Sequence, residues 1–524
     1  MPMPAANSPW PPKAWEPAYA QYAENDAWLT GDTKTLQKLY TGSSGQATHQ
    51  HGGTPHKGGL VGAASRLFWG RPVPANESRT RLHVPAAADL ATLASDLQYS
   101  EPPETVFAGE EKRQQAAQDR LDLIMNSDEL HATLNSMGEI KAALGATIVI
   151  PRWDKAVEDH VWLDYAAADA AIPTFRQGRL VEVTLWSEFL DGHVYYRHLE
   201  HHAPGYIEHA LFRGRANDLG VRVPLQDRPE TEAYAEVVDG DSRIATGIER
   251  LTAGYLPNAP ALSWRRSGAI KDAGRSDFNQ CIPLFDALDE AFSSWMRDLK
   301  LGAGKLIVPE AYLRSAGPGA GATVDIHREL FLGLSIPGNQ DGSLTMQPQQ
   351  FDIRVEQHEQ TMRGIMREIL RKAGFSPSSW GDPDQTGGNA TATEIQQREK
   401  QTERTRSKKN LYDRRVLSRM GSVALELDGN LFAGKGGGEY DLNVVFPELS
   451  RTDPKTEAET IGILNVAGAI STFQSVARAN PEWSTEQVEE EVNRIQARKD
   501  AERPPDPTTF GRFDDNPDPD NPEE

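Results

Sequence analysis

The order of hydrophobic periodicities between residues 276 and 420 constrains this chain more than any other feature. Leu284, Phe285, Leu288, Phe292, Trp295, Met296 and Leu299 recur at spacings of three and four, the repeat of a helix with one apolar face. Asp277 followed by Gln280 resembles a capping box ahead of it, and Leu301-Gly302 predicts its end. Two β-like runs, Lys305–Val308 and Leu330–Ile336, then flank the glycine-rich loop Gly317-Pro318-Gly319-Ala320-Gly321. A second helix places Val355, Met362, Ile365, Met366, Ile369 and Leu370 on one face, with Gly374 at its C′ position and Ser376-Pro377 as its stop. The 18 residues Ser376–Thr393 carry Trp380 and three glycines, and Thr391-x-x-Glu394 predicts the cap of a third long helix. A loop of that length inside a compact region is usually functional. Long bracketing helices hold a small β module away from the main body, as a tip on a stalk.

The rest of the chain predicts an α+β fold. One helix is expected between Tyr19 and Tyr40, a flexible loop over Thr41–Gly59, and a helix from Ala86 to Leu97. An interrupted helical pair over 110–143 precedes a short buried strand, Ala146–Ile150. Leu180–Leu190, Val194–Glu200 and Tyr206–Arg213 are β-rich runs separated by Asp191-Gly192 and Ala203-Pro204-Gly205, which predicts an antiparallel meander. Beyond 450 an apolar helix is expected around Ile461–Val476 and a charged one over Glu486–Lys499. The last 25 residues, with nine acidic and two basic side chains and several prolines, read as a disordered tail.

Charge and composition narrow the function classes. Lys and Arg number 55 against 76 Asp and Glu, a net charge of −21, so the surface as a whole repels phosphates and argues against a tight nucleic-acid grip. An acidic conduit for DNA remains compatible. No run of 18 apolar residues exists to span a membrane, and the first residues lack the basic and apolar regions of a secretory leader. One cysteine, Cys281, excludes an intrachain disulfide framework and a cysteine-based zinc site, and suits a reducing compartment.

Four candidate constellations carry little chemistry. His198, His201, His202 and His209, with Glu200 and Glu208, form the richest metal-ligand strip. Alternation puts His198 and Glu200 on one face and leaves His201 and His202 at the turn, without a helical HExxH spacing. The strip therefore reads as partly exposed hairpin histidines. Gly304-Lys305 and Gly434-Lys435 lack the upstream glycine and the following hydroxyl of a Walker A loop. Asp239-Gly240-Asp241 is a turn, too short for a calcium loop. Cys281, near a helix start, has no basic neighbour in sequence and reads as buried packing.

The third helix is unusual in charge. Over Thr391–Met420 nine cations (Arg398, Lys400, Arg404, Arg406, Lys408, Lys409, Arg414, Arg415 and Arg419) face four acidic residues. Lys400/Arg404 and Arg404/Lys408 are like-charge pairs four residues apart, mildly destabilising in isolation. Solvent, DNA or an acidic neighbouring subunit could face that ridge, and the acidic overall charge favours the neighbour. Arg398, Lys400, Arg404 and Lys408 are accordingly expected at a subunit interface.

Several blocks together resemble the portal proteins of tailed, long-tailed (siphovirus-like) bacteriophages. Asn25-Asp26-Ala27-Trp28-Leu29-Thr30-Gly31-Asp32 with Leu36-Gln37-Lys38-Leu39-Tyr40 is similar to the family's N-terminal helix. Leu82-His83-Val84-Pro85 through Ser95-Asp96-Leu97 and Glu101-Pro102-Pro103 resembles the next block. Leu284-Phe285-Asp286-Ala287-Leu288-Asp289 with Ser293-Ser294-Trp295-Met296-Arg297-Asp298 resembles its first stem helix, and Ile307-Val308-Pro309-Glu310 and Thr391-Ala392-Thr393-Glu394 follow in order. The insert Ser315–Thr323, rich in Gly and Pro, departs from the family pattern.

The resemblance implies a non-enzymatic homo-oligomeric ring, usually a dodecamer, at one capsid vertex of the virion, assembled in the host cytoplasm. Double-stranded DNA would pass without sequence specificity, driven by a large terminase subunit. A head–tail connector would dock later, major capsid and scaffold proteins would be further partners, and no cofactor, metal or membrane is implied. By position, 1–275 would be the wing, 276–302 and 353–375 the stem helices, 303–352 the clip and 376–393 the tunnel loop. Residues 394–449 would hold the long wing helix, 450–499 the crown and 500–524 the acidic tail. Ser379, Trp380, Asp382, Asp384, Gln385 and Asn389 would face DNA; a loop without Lys or Arg keeps contact weak enough to slide. Lys305, Glu310, Tyr312, Arg314, His327 and Arg328 of the clip would meet terminase and connector. The rivals are a zinc-dependent hydrolase using the His198–His209 strip, and a head–tail adaptor or minor capsid protein, the adaptors usually being much shorter.

Overall fold

The computed structural model describes residues 3–47, 81–109, 114–302, 305–309, 331–334, 347–349, 353–381, 392–447, 454–480, 483 and 485–501. They divide into two units, Met1–Pro447 and Glu448–Glu524.

In the first unit the expected single helix at the N-terminus is two, α1 (Glu16–Thr30) and α2 (Thr33–Ala47). Gly31 separates them at φ 65°, a left-handed cap that closes on Ala27. The loop expected from Thr41 begins as helix, since α2 runs on to Ala47; residues 48–59 lie outside the described residues. Helix α3 (Ala86–Tyr99), strand β1 (Glu104–Phe107) and helices α4 (Gln115–Met125) and α5 (Asp128–Leu144) follow. Ser127 caps α5 by accepting from Leu130 N, and Gly145 ends it at φ 92°. A side chain at Gly145 would run into the backbone of Arg275 and Ser276, so the αL turn and the close approach both require glycine.

The expected meander is present and larger. Strands β2 (Ala146–Arg152) and β3 (Trp162–Ala167) join β10 (Gly254–Pro257) in a three-stranded sheet of order β10-β2-β3. Strands β4 (Ala171–Arg176), β5 (Arg179–Asp191), β6 (Val194–Ala203), β7 (Tyr206–Arg215) and β8 (Asp218–Val223) pair in sequence, with β9 (Arg243–Ala245) added to β7. Helix α6 (Pro229–Val237) lies between β8 and β9 in sequence.

The order expected for 276–420 is also observed. Helix α7 (Ile282–Leu301) leads to β11 (Lys305–Pro309), β12 (Phe331–Leu334) and β13 (Gln347–Gln349), a small sheet with β11 in the centre. β11 runs parallel to β12, with Leu306 opposite Phe331, and antiparallel to β13, with Lys305 opposite Gln349. Helix α8 (Val355–Ala373) ends at Gly374, φ 94°, as predicted. Helix α9 (Ala392–Leu431) continues well past the expected region, and β14 (Leu442–Val445) pairs with β1.

Asp277 does not cap α7. It sits in a 3-10 turn, Asp277–Gln280, whose N-cap is Ser276, and its own carboxylate is buried. Cys281 is buried as expected; burial pushes its thiol up to about 12, and Sγ lies 3.6 Å from Ile369 O.

In the second unit the expected helix around Ile461–Val476 is two, α10 (Pro454–Val466) and α11 (Thr472–Ala479), with Gly468 at φ 65° between them. The charged helix is α12 (Thr485–Ala501). The acidic tail beyond Ala501 lies outside the described residues. Among the described residues, no helix is long and apolar enough to cross a membrane.

Candidate functional site: stalk, tip and long helix

Helices α7 and α8 pack side by side in opposite directions. At the end near the tip, Asp298 on α7 accepts from Arg354 Nη2 (2.7 Å) and bonds His358 Nε2 (2.9 Å), partners that hold its carboxyl below the usual range. The ring of His358 stacks on Trp295 at 6.1 Å. At the other end Phe278, Phe285 and Leu288 meet Ile369, Leu370 and Phe375 in one core cluster, together with Trp28 and Leu36. Of the apolar positions read from sequence, Leu284, Phe285 and Leu288 on α7 and Met362, Ile365, Met366, Ile369 and Leu370 on α8 join this cluster, whereas Leu299 and Val355, near the tip, are exposed.

A buried carboxylate fastens the stalk to the N-terminal segment. Asp289 is wholly buried on α7; its Oδ1 accepts from Val84 N (2.8 Å), while Oδ2 meets His83 Nδ1 (3.0 Å) and the Tyr40 hydroxyl. Burial and this carboxylate push the Tyr40 phenol well above its ordinary range.

The loop expected over 376–393 begins in an ordered segment. Pro377–Trp380 is a 3-10 turn, and hydroxyl groups clip it to α9. Ser376 N donates to Thr402 Oγ1 (2.9 Å), Ser379 Oγ lies 2.9 Å from the same hydroxyl, and Thr405 Oγ1 donates to Gly374 O (2.7 Å). Ser379 and Trp380 are half-buried, with Trp380 packed against the Met362 and Met366 side of the core. Asp382, Asp384, Gln385 and Asn389 lie outside the described residues, as do Glu310, Tyr312, Arg314, His327 and Arg328. Of the clip candidates, Lys305 is placed at the start of β11.

Helix α9 separates its cations into two sets. Lys400, Arg404, Lys408, Arg414 and Arg415 are exposed, and Arg398 lies within the helix. Arg406 and Lys409 are buried instead, which corrects the reading of one continuous ridge. Arg406 Nη1 donates to Pro447 O (2.6 Å), and Lys409 pairs with the buried Asp277. One turn on, Asp413 Oδ2 accepts from Lys141 Nζ (2.6 Å), Tyr99 OH (2.6 Å) and Gln98 Nε2 (2.8 Å). Lys141 and Asp413 are fully buried; desolvation lowers the Lys141 pKa against the opposing pull of Asp413. Further along, Asp428 takes a bidentate grip from Arg120 (2.7 and 2.9 Å) and a bond from Val161 N (3.1 Å). The sequence reading missed these acids. Their signal was an acidic residue on an apolar helical stripe, as Asp413 is with Leu417 and Met420.

The histidine strip differs from expectation. β6 extends through Ala203, so His201 and His202 lie in the strand rather than at the turn, and all four histidines are buried. His198 Nε2 lies 3.1 Å from His209 Nδ1, and both rings stack on Tyr234 of α6, which covers this face. His202 Nε2 meets Glu200 Oε1 at 2.8 Å, and Arg152 reaches the same carboxylate. His201 faces the other side and bonds Thr184 Oγ1 (2.9 Å). Burial pushes His209 down to about 4, and His198 and His201 down as well. Burial alone would raise Glu200, but Arg152 and His202 hold it well below the carboxylate range. Among the described residues, no group of three or more His, Cys, Asp or Glu side chains is arranged to hold a metal ion.

Residues 19–505 match the family described as "Phage portal protein, SPP1 Gp6-like". No curated protein matches the chain significantly. Solved structures similar to it include a chain from the neck of an empty GTA particle computed with C6 symmetry (14% identity, 83% of this chain and 97% of that one, TM-score 0.38). A second is from the neck of the native GTA particle computed with C12 symmetry (12%, 82% and 96%, 0.38). A third is from the virion of the native gene transfer agent particle (13%, 80% and 99%, 0.39).

Proposed function

This chain belongs to the SPP1 Gp6-like family of phage portal proteins, and on that premise we propose that it assembles into a ring-shaped channel at one capsid vertex. Double-stranded DNA is packaged and later ejected through the channel without sequence recognition. The observation that carries the reading is the family match over residues 19–505. The stalk, its three-stranded tip and the long helix supply the parts in the order the role needs.

Residues 276–302 and 353–375 act as stem, 303–352 as clip, 376–393 as tunnel loop, 394–449 as the long wing helix, and 450–499 as crown, with 1–275 as wing. The clip, beginning at Lys305, docks the large terminase subunit and then the head–tail connector. The role is structural, and assembly takes place in the host cytoplasm with capsid and scaffold proteins. Two antiparallel helices cross-linked at Asp298 and packed at Phe285 and Ile369 make a stiff support for such a tip.

The test is mass by light scattering, with negative-stain images, of the purified chain alone and with its scaffold and capsid proteins. Rings with a central channel are expected, and their symmetry gives the subunit number. A monomer under both conditions would sink the reading.

A further inference from the structure

The exposed face of α9 and a groove between α4, α5 and the β2–β3 connection are complementary in charge and shape, yet they do not satisfy each other within one chain. On α9, Lys400, Arg404, Lys408 and Arg415 flank Leu411, which is 65% exposed. Spacings of three and four align these five side chains along about 22 Å of helix, opposite the buried stripe of Asp413, Leu417 and Met420. None of the four cations has an ion-pair partner among the described residues. An isolated exposed leucine is ordinary. A leucine centred in a line of unpaired cations on an otherwise rigid helix is not.

The groove has a volume of about 490 Å³ and a floor formed by Leu163, Trp162 and Leu130. Its apolar rim is Leu123, 40% exposed, and Val157, 65% exposed. Glu129 and Glu158 stand beside them; His160, also on the groove wall, lies 3.9 Å from Glu158, and no Lys or Arg pairs with either carboxylate among the described residues. An apolar opening edged with acids thus matches an apolar knob edged with cations.

We propose that α9 of one subunit seats Leu411 in the groove of a second copy, with Arg404 and Lys408 against Glu129 and Glu158. Knob and groove are different patches of the same surface, so the contact is heterologous: each copy offers a free knob and a free groove to the next, and the chain of contacts ends only when a ring closes. The inference rests on the ring reading above and deepens it by naming the surfaces that meet. It also gives the like-charge pairs of α9 a neighbour.

The test uses the full chain. Leu411→Cys combined with Val157→Cys should give, under oxidation, a ladder of disulfide-linked multimers, whereas either change alone should give monomer on a non-reducing gel; the buried Cys281 stays out of the reaction. In parallel, Arg404→Glu with Lys408→Glu should raise the concentration needed for ring formation about tenfold or more. Adding Glu129→Lys and Glu158→Lys to the same chain should restore it. These side chains are at the surface, so folding is preserved. Wild-type rings whose subunits neither cross-link through this pair nor respond to the charge reversals overturn the contact and leave the ring reading standing. A wild type that forms no ring under any condition overturns the ring reading, and this contact with it.

Discussion

Removing the Asp413 carboxylate should be among the most damaging single changes available in this fold. Three donors from α3 and α5 converge on Oδ2, and both Asp413 and Lys141 have no solvent exposure. Asp413→Ala leaves the Lys141 ammonium in the core with only the Tyr99 hydroxyl, 2.9 Å away. Breaking one partner out of a buried pair costs about 3–5 kcal/mol, because the remaining charge is uncompensated. Lys141→Met is expected to cost less, since the carboxylate keeps the Tyr99 and Gln98 donors. The double variant Lys141→Met/Asp413→Leu removes both charges and leaves the Tyr99 and Gln98 donors short of an acceptor, a residual cost of about 1–3 kcal/mol. Urea unfolding followed by circular dichroism compares the three variants with the wild type. Asp413→Ala within about 1 kcal/mol of wild type, or a double variant no better than the alanine variant, would refute the reasoning.

Other expectations follow from single sites. His209 is held neutral, with its pKa moved from 6.5 to about 4 in the folded chain, among His198, His202, Glu200, Arg152 and Tyr234. Its stabilising contribution is complete above 6.5 and is lost as pH falls through about 4, roughly 3 kcal/mol in all. His209→Phe should flatten the fall in stability between those pH values, and an unchanged profile would count against burial as the cause. Gly145→Ala should destabilise the first unit by more than about 2 kcal/mol, since left-handed strain adds to a backbone clash at Ser276; a neutral effect on the thermal midpoint would contradict the packing. Thr402→Val should speed hydrogen exchange at the Ser376 amide, which loses its acceptor. Unchanged protection there would mean that the Thr402 hydroxyl does not hold the 3-10 turn.

The stalk was legible in the sequence because its information is redundant. Seven apolar positions on α7 and six on α8 repeat one period, and Gly374 marks the stop that the backbone uses. The histidine strip was misread because strand alternation tells which residues share a face but not what covers it. His198, Glu200, His202 and His209 share theirs, and α6, brought back by a later connection, lays Tyr234 over His198 and His209. The cations of α9 were separable in principle. Arg406, Lys409 and Asp413 fall on the Leu417 stripe, while Lys400, Arg404 and Lys408 fall opposite it. A count of charges over the segment hides a division that helical projection makes visible. The clip and tunnel-loop candidates outside the described residues were chosen from the resemblance, so the periodicity of their neighbours bears on their order along the chain and not on their contacts.

The buried ion pairs fix the rotation of the long helix. Lys409 with Asp277, Asp413 with Lys141, and Asp428 with Arg120 pin α9 at three points over about 28 Å. Turning the helix by a single residue position would swing each of these side chains by about 100° and strand every pair at once. Each stranded charge costs several kcal/mol, so the helix keeps its rotation and its register as a unit. The segment 374–381 is held to the same helix by neutral hydroxyl and amide bonds at Thr402 and Thr405. Each is worth about 1 kcal/mol net. Shifting that segment on α9 therefore costs less than turning α9 itself, so the exposed cations of α9 keep their orientation when the segment moves.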